Sequence, residues 1–218
     1  MYSNPSNRNQ TLHYEGIFKG LPVLTGHGPL VADYLDALYF VLQKSLMAHR
    51  RVCAFRFDLH FPVSMVAEDE AITNAFMTRF IESLKAKVRH NRQRVQERDG
   101  RVHDTDVRYV WAREVGSKGR VHYHVALLVN GDAFFSFGKL TSGGQNMANR
   151  IQEAWASALG LPLQGTMGLV HFPENPVYRF DPDSPLEAAE FFERASYLCK
   201  AHTKQFGLGH HGFGASRN

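Results

Sequence analysis

Two β-rich runs that flank one short glycine turn constrain the fold of this chain more than any other feature. The first run is VRYVWAREV (107–115), the turn is GSKG (116–119), and the second run is RVHYHVALLVN (120–130). Runs rich in β-branched and aromatic residues around such a turn are typical of a β-hairpin. The chain therefore contains an antiparallel strand pair, in which alternation assigns each side chain to one of two faces.

The second strand of this hairpin separates apolar side chains from histidines. His122 and His124 share one face, and the other face is apolar: Val121, Tyr123, Val125, Leu127 and Val129. A loop over 117–119, with Gly119 in the left-handed conformation, places Glu114 opposite His122. A two-residue loop would place Arg113 there instead, and it would put the aromatic residues of the first strand on the histidine face. We therefore favour the longer loop.

Two imidazoles and a carboxylate on one face predict a metal site. Neutral imidazole is the commonest side-chain metal ligand, and a cross-strand position brings Glu114 alongside His122 and His124. Three protein ligands leave open positions on the ion, which suits catalysis rather than a structural site. The alternative is a pair of surface histidines, with Glu114 in a solvated pair with a nearby arginine.

The remaining pattern predicts an α+β fold with a mostly antiparallel sheet and helices packed on it. The run RVCAFRFDLHFP alternates cleanly and predicts a second long strand over 51–62. A short strand is expected over 168–172. Apolar periodicity predicts helices over 29–49, 69–97, 145–159 and 184–204. The last of these opens on Ser184-Pro185-Leu186-Glu187, a capping-box sequence with proline at the first helical position.

Polar residues of this second strand share a face that we expect to lie near the site. Arg56, Asp58 and His60 alternate with the apolar side chains of the strand. They are candidates for DNA contact, but Asp58 and His60 in particular could equally be structural hydrogen-bonding residues. His171, on the short strand, has no assigned role.

A tyrosine in the last helix is the candidate nucleophile. Tyr197 and Lys200 stand at i and i+3 in YLCK, so they are neighbours on a helix surface. The face that carries them is polar, so Tyr197 is not placed as a core aromatic. A free phenol has a pKa of about 10, and Lys200 could stabilise its anion or the charge that builds on a phosphate. The alternative is an amphipathic surface tyrosine.

The chain has a small excess of positive charge, and basic residues are concentrated in one segment. The net charge is +4, and the helix over 69–97 becomes basic in its second half. This half is either a solvated helix end or a phosphate-contacting arm. The candidate contacts are Lys85, Lys87, Arg89, Arg92 and Arg94.

The composition also indicates the cellular compartment. No apolar run reaches the ~18 residues of a membrane span, and the polar start MYSNPSNRNQ lacks the apolar stretch of a secretion signal. The only cysteines, Cys53 and Cys199, lack metal-type spacing. We therefore expect a cytoplasmic protein without a disulfide scaffold and without a membrane partner.

Together, these motifs resemble the HUH endonucleases, which combine a His-hydrophobic-His strand with a tyrosine on a helix. Within that class the chain resembles the single-tyrosine rolling-circle replication initiators: an acidic residue on the adjacent strand, the histidine pair, then a YxxK helix. Glu114, His122, His124, Tyr197 and Lys200 fill these positions in order. FRFDLHFP resembles the first motif of that class. HYH followed by YLxK also resembles the inovirus gene-two-type replication protein family.

The resemblance, which covers residues 51–204, implies a fold, a chemistry and partners. The fold is a central antiparallel sheet of about five strands, as in RNA-recognition-motif domains. Mg²⁺ or Mn²⁺ would be held by the histidine pair and the acidic residue, and the tyrosine would cut single-stranded or hairpin origin DNA, leaving a 5′-phosphotyrosine link and a free 3′-OH. Unwinding and synthesis would fall to a host helicase and polymerase.

Three segments follow from this interpretation, and two other functions stay open. Residues 1–50 are expected to be an irregular arm and a helix that pack on the core, 51–204 the endonuclease domain, and 205–218 a flexible tail. A single-tyrosine transposase would use the same chemistry, and genomic context would separate it from a replication initiator. A non-catalytic nucleic-acid-binding module would form no covalent adduct with DNA.

Overall fold

The computed structural model describes residues 2–65, 74–116, 119–138, 144–202, 204 and 211–217. Over these residues the fold is α+β, as predicted from the alternation of strand and helix patterns, with a large antiparallel sheet and four α-helices. The sheet has six strands rather than about five.

The hairpin and the second alternating run form the centre of this sheet. Its strands are β6 Val52–His60, β7 Arg108–Val115, β8 Val121–Asn130, β9 Val170–His171, β10 Val177–Phe180 and β11 Phe213–Ala215. They lie in the order β10-β6-β8-β7-β11, and β9 pairs with β6. Each pairing is antiparallel. The central position of β6 and β8 explains why both are buried along most of their length.

Helices cover both faces of the sheet and create two cores. One core contains Phe55, Phe57 and Tyr123 and is covered by α2 (Ala75–Asp99) and α3 (Met147–Leu159). The other contains Ala54, Ala112 and Ala126, whose small side chains let α1 (Ala32–Ala48) and α4 (Pro185–Ser196) pack closely. The predicted helix positions are confirmed for these four, although the predicted start of α2 lies in 66–73, outside the described residues.

The last helix begins where predicted, but its cap and its carboxyl-terminal end differ from the prediction. Pro185 is its first residue, as expected, but Ser184 forms no capping box: its hydroxyl donates to Asp181 Oδ1 at 3.0 Å and accepts from the Asp181 N–H at 2.8 Å. The helix ends at Ser196, not near 204, and a short 3₁₀ turn, Tyr197–Cys199, follows. The tyrosine therefore lies on the 3₁₀ turn, beyond the α-helix.

The amino-terminal segment is not irregular. It forms β1 (Tyr2–Asn4), β2 (Asn7–His13), β3 (Ile17–Phe18), β4 (Leu21–Pro22) and β5 (Leu30–Val31). The first two strands pair with each other and β2 pairs with β5. The buried side chains of β1 and β2 include an amide pair, in which Asn4 donates to Gln10 at 2.9 Å. Because polar residues occupy these buried positions, the sequence lacks the apolar alternation that would have predicted the strands.

The carboxyl-terminal segment is also partly ordered, which corrects the expected flexible tail. Residues 213–215 form the edge strand β11 on β7, while 205–210 and 218 lie outside the described residues. Gly214 pairs with Trp111, and the indole lies directly over its backbone. This close approach explains the glycine in what is otherwise an edge strand.

Replacing Gly214 by alanine should detach this edge. A Cβ at Gly214 would lie 2.5 Å from Trp111 Cε2, so the indole or the strand must move. Such overpacking costs about 1–3 kcal/mol of unfolding free energy. Urea unfolding should report this loss, whereas Gly16→Ala, where a Cβ meets nothing within 4 Å, serves as the control. Equal stability of the two variants would contradict the packing of Trp111 on β11.

The structure also describes the state of the two cysteines and the character of the helices. Cys53 and Cys199 are both free thiols in the core. Among the residues that the structure describes, no helix has both the length and the apolar character needed to cross a membrane.

Candidate active site

The predicted hairpin register is confirmed. Glu114 pairs with His122, and Val115 pairs with Val121. The Gly116 N–H donates to the Arg120 carbonyl at 2.9 Å, which closes the hairpin around 117–119. Gly119 has φ +72°, the left-handed conformation that the three-residue loop requires, while 117 and 118 lie outside the described residues.

The side chains of Glu114, His122 and His124 converge on one point. Their potential ligand atoms all lie within 4.8 Å of one another. His124 Nε2 is 3.2 Å from His122 Nε2 and 3.4 Å from Glu114 Oε2. Neighbouring ligands bound to one ion at about 2.0–2.2 Å lie roughly 2.8–3.6 Å apart, from octahedral to tetrahedral angles, so both of these separations fit a shared divalent cation.

A carboxylate on the neighbouring strand β6 fixes the orientation of the His124 ring. Its Nδ1 lies 2.6 Å from Asp58 Oδ1. A carboxylate only accepts, so Nδ1 is the donor in this contact and Nε2 is the nitrogen that faces the site. Burial alone raises the pKa of Asp58, but the hydrogen bond and charge of His124, together with Arg56, outweigh burial and hold this pKa well below its usual range. Asp58 is therefore a carboxylate that orients a candidate ligand.

Arg56 holds this carboxylate from inside the protein. Its guanidinium is buried, donates to the carbonyls of Val125 at 2.7 Å and Phe57 at 3.2 Å, and lies 3.5 Å from Asp58 Oδ1. His171 approaches the other Asp58 oxygen at 3.5 Å from the neighbouring strand β9. The contacts of Arg56 are thus internal, and its place in the site is behind Asp58.

His60 extends the histidine cluster. It pairs with His122 across β6 and β8, and the two rings stack with centroids 5.4 Å apart. Burial is the largest influence on both rings and lowers the pKa of each. Both rings are thereby favoured as neutral imidazoles, the form that binds a metal.

Two buried lysines meet the third candidate ligand. Lys200 Nζ lies 2.8 Å from Glu114 Oε2, and Lys204 Nζ lies 2.9 Å from Oε1. Burial raises the pKa of Glu114, but its contacts with His124 and both lysines prevail and lower it well below its usual range. Burial also lowers the pKa of Lys204. Lys204 was not among the predicted site residues, and because the α-helix ends at Ser196, its spacing of four from Lys200 gave no indication of the shared contact.

The tyrosine packs over the same cluster. The ring of Tyr197 stands edge-on to His124, with centroids 5.4 Å apart, and Lys200 Nζ lies 3.6 Å from the centre of the Tyr197 ring. His27, from the segment before β5, also stands edge-on to the Tyr197 ring, with centroids 5.2 Å apart. The sequence contained no indication of His27, because its approach depends on how the amino-terminal segment packs.

The basic residues of α2 lie away from the cluster of candidate metal ligands. The histidines and Glu114 belong to the sheet face covered by α1 and α4, whereas α2 covers the opposite face. The start of α2 packs on that opposite face, where Asn74 Oδ1 accepts from Tyr123 Oη at 2.8 Å. Its basic half extends away, toward the far end of β7 at Arg108. Lys85, Lys87, Arg89, Arg92 and Arg94 therefore do not share a surface with the candidate metal ligands.

Removing the charge of Asp58 should weaken metal binding without removing a ligand. Asp58→Asn keeps the size of the side chain but loses the anionic partner that orients His124, and such outer partners are worth about 10–100-fold in metal affinity. Calorimetric titration with Mn²⁺ or Zn²⁺ alone measures the change. Asp132→Asn, which breaks a surface pair with Arg51, is the matched control. Equal affinity of both variants would contradict the orienting role.

Two imidazoles, a carboxylate and a tyrosine on one face of an antiparallel sheet define an α+β domain with a candidate metal centre. The chain belongs to the YagK/YfjJ C-terminal domain family, whose model matches residues 14–216. YagK of Escherichia coli (strain K12) is 33% identical over 199 residues, which cover 88% of this chain and 95% of YagK. YfjJ of the same strain is 32% identical over 202 residues, which cover 87% and 96%. Neither name carries an activity.

Two solved structures are similar at a low level. The N-terminal nuclease domain of the minute virus of mice non-structural protein 1, which coordinates Zn²⁺ in its active-site pocket, is 14% identical with a TM-score of 0.24, over 80% of this chain and 76% of that one. The origin-recognition/nickase domain of human bocavirus non-structural protein 1 is 14% identical with a TM-score of 0.21, over 66% and 61%. At these TM-scores the likeness has no weight for function, which rests on the site itself.

Proposed function

We propose that this protein is a metal-dependent nickase and strand transferase for single-stranded DNA, with Tyr197 as its nucleophile. The observation that supports this proposal most is the contact of Tyr197 with His124, because His124 belongs to the converging cluster of candidate ligands. A tyrosine beside a metal-type site and a buried lysine is arranged for phosphoryl transfer, not for core packing alone.

In the proposed reaction, the phenolic oxygen of Tyr197 attacks the scissile phosphorus. A phosphorus–oxygen bond to Tyr197 forms, the bond from phosphorus to the 3′ oxygen of the preceding nucleotide breaks, and the phenolic proton passes by way of solvent to that departing oxygen. The products are a 5′-phosphotyrosine and a free 3′-OH. The reverse reaction rejoins the strand without an external energy source, because the phosphotyrosine retains the energy of the phosphodiester.

The site residues divide this work among them. His122, His124 and Glu114 would hold a divalent ion, Mg²⁺ or Mn²⁺, which when bound stabilises charge on the phosphoryl oxygens. Lys200, whose Nζ lies over the ring of Tyr197, places a positive charge beside the attacking group. Asp58 and Arg56 keep His124 in position, and His60 stacks beside His122. We assign Arg56 to positioning, not to DNA contact.

We further propose that nicking starts rolling-circle replication of a phage or mobile element. The free 3′-OH is a primer for a host polymerase, and strand separation ahead of it requires a helicase. Origin DNA presented as a single strand or hairpin is the substrate. The YLCK and HYH motifs are the basis for the proposed relationship to inovirus-type replication proteins. Residues 51–204 would supply the catalytic elements, with 1–50 packed on them.

A covalent adduct is the test. We expect the purified protein with Mn²⁺ to form a denaturant-resistant adduct on single-stranded DNA hairpins drawn from the flanking genome. Mass spectrometry should place the adduct on Tyr197, and EDTA should suppress it. Mg²⁺, Mn²⁺ and Zn²⁺ in parallel identify the effective ion. Cleavage without an adduct, or no cleavage with any of the three metals, would contradict the proposal.

A further inference from the structure

The basic half of α2 carries its cations on two different stripes. Lys85, Arg89 and Arg92 follow a spacing of four and three, so they share one side of the helix. Lys87 and Arg94 lie on the other side, which faces α3. There Lys87 pairs with Glu153 at 3.2 Å, and Arg94 donates to Gln145 at 3.2 Å. The structure thus separates five predicted DNA contacts into two groups.

The first stripe lines a groove, here named the α2 groove. Its volume is about 880 Å³, and it lies between α2 and the end of the sheet where β7 begins. Arg108, Tyr109 and Arg217 complete its lining on the sheet side. From Arg108 to Glu114 is six residues of extended strand, or roughly 20 Å, so the groove is distinct from the metal site.

Positive charge predominates in the α2 groove. Five cationic side chains line it, against Glu97, Asp104 and Asp106. Asp106 is paired with Arg108 at 2.8 Å. Within the described part of the chain, Lys85, Arg89 and Arg217 have no carboxylate within 4 Å. Such uncompensated cations in a groove are the electrostatic footprint of a phosphate backbone.

Aromatic rings follow the same path. Tyr109 is half-buried in the groove, and Lys85 Nζ lies 5.6 Å from the centre of its ring. Past Tyr109 and residues 215–217, a second groove of about 1050 Å³ continues along β11 with Trp111 and Phe40 in its lining. Cations that alternate with partly exposed rings suit a single strand, because its bases are free to stack on aromatic side chains.

We propose that the α2 groove binds single-stranded DNA outside the cleavage site, through Lys85, Arg89 and Arg217 on phosphates and Tyr109 under a base. The inference rests on the proposed function for its substrate class. The groove adds affinity and takes no part in bond breaking. A strand that continues over β11 would pass the second groove.

Two double variants of the same helix test this. Lys85→Gln/Arg89→Gln removes two charges from the groove, and Lys87→Gln/Arg94→Gln removes two charges from the α3 side. Fluorescence anisotropy in EDTA, with a labelled single-stranded oligonucleotide, measures affinity as salt is varied. We expect the groove variant to bind at least 10-fold more weakly and to lose about 1.4 from the salt slope, which is about 0.7 per phosphate for single strands. The control should stay within twofold.

The tyrosine and the adduct assay complete the test. Tyr109→Leu keeps an apolar contact with the core, so it should lower affinity severalfold with an unchanged salt slope. For Lys85→Gln/Arg89→Gln and for Tyr109→Leu, adduct yield at subsaturating DNA should fall in proportion to affinity and recover as the DNA concentration is raised. Equal weakening of the two double variants, unchanged affinity of the groove variant, or tighter binding of duplex DNA would overturn the inference. Weak binding by the groove variant with no adduct from the wild type would support the groove and reject the nickase.

Discussion

Tyr197→Phe should abolish the covalent adduct while leaving the fold and DNA affinity intact. The change removes one oxygen from a half-buried ring whose described contacts are ring contacts: an edge-on approach to His124, another to His27, and the cation of Lys200 over its face. Phenylalanine preserves these contacts. The loss of adduct should exceed 10³-fold, since no other atom of the side chain can form a phosphodiester.

Tyr39→Phe is the matched control for this result. Tyr39 packs edge-on against Phe192, so the same oxygen is removed from a ring away from the site. The control should form adduct at the wild-type rate. An adduct that persists at full yield in Tyr197→Phe would move the nucleophile to another residue and leave the metal site without its proposed partner.

His124→Ala should lower metal-dependent cleavage at least 100-fold, equivalent to about 2.7 kcal/mol of transition-state stabilisation. The reason is that His124 is the central member of the cluster: its Nε2 is within 3.4 Å of both other candidate ligand atoms, and its Nδ1 contacts Asp58. The variant therefore loses a ligand and releases Asp58 from its orienting contact. Single-turnover cleavage in Mn²⁺ measures the loss.

His90→Ala, an exposed histidine on α2, is the control for this change. DNA binding in EDTA should be similar for wild type, His124→Ala and the control, which shows that the variant is folded. Cleavage by His124→Ala at the wild-type rate in Mn²⁺ would exclude this cluster as the metal centre. Cleavage by the wild type at an equal rate in EDTA would exclude a metal altogether.

The surroundings of Tyr197 and Lys200 show which part of the site could not be predicted from the sequence. A helical pattern through YLCK predicted Tyr197 and Lys200 as surface neighbours, and the two groups do touch. The α-helix nevertheless ends at Ser196, because the following segment pairs with the amino-terminal region: Leu30 bridges Lys200, and the Ala201 N–H donates to the Pro29 carbonyl at 3.0 Å. These partners lie about 170 residues away in sequence, and local periodicity contains no information about them.

The strands of the amino-terminal arm and of the carboxyl-terminal tail were not predicted, for a related reason. Strands β1 and β2 are held by backbone pairing and a buried amide pair, so they lack an apolar alternation. The tail is rich in glycine and reads as flexible, yet Gly214 is required where Trp111 lies on the strand. In both segments the partner surface supplies the order.

The amino-acid sequence by itself determined the α+β class, the central hairpin and the convergence of Glu114, His122 and His124. A period of two and a three-residue loop are local properties, and together they fix which side chains face each other. Only the tertiary structure decided what surrounds them: Asp58 behind His124, Lys204 on Glu114, Tyr197 over the cluster, and a groove on the opposite face for one stripe of α2. These contacts join residues far apart in the chain, and they exist because the packing of helices on both sheet faces brings those residues together.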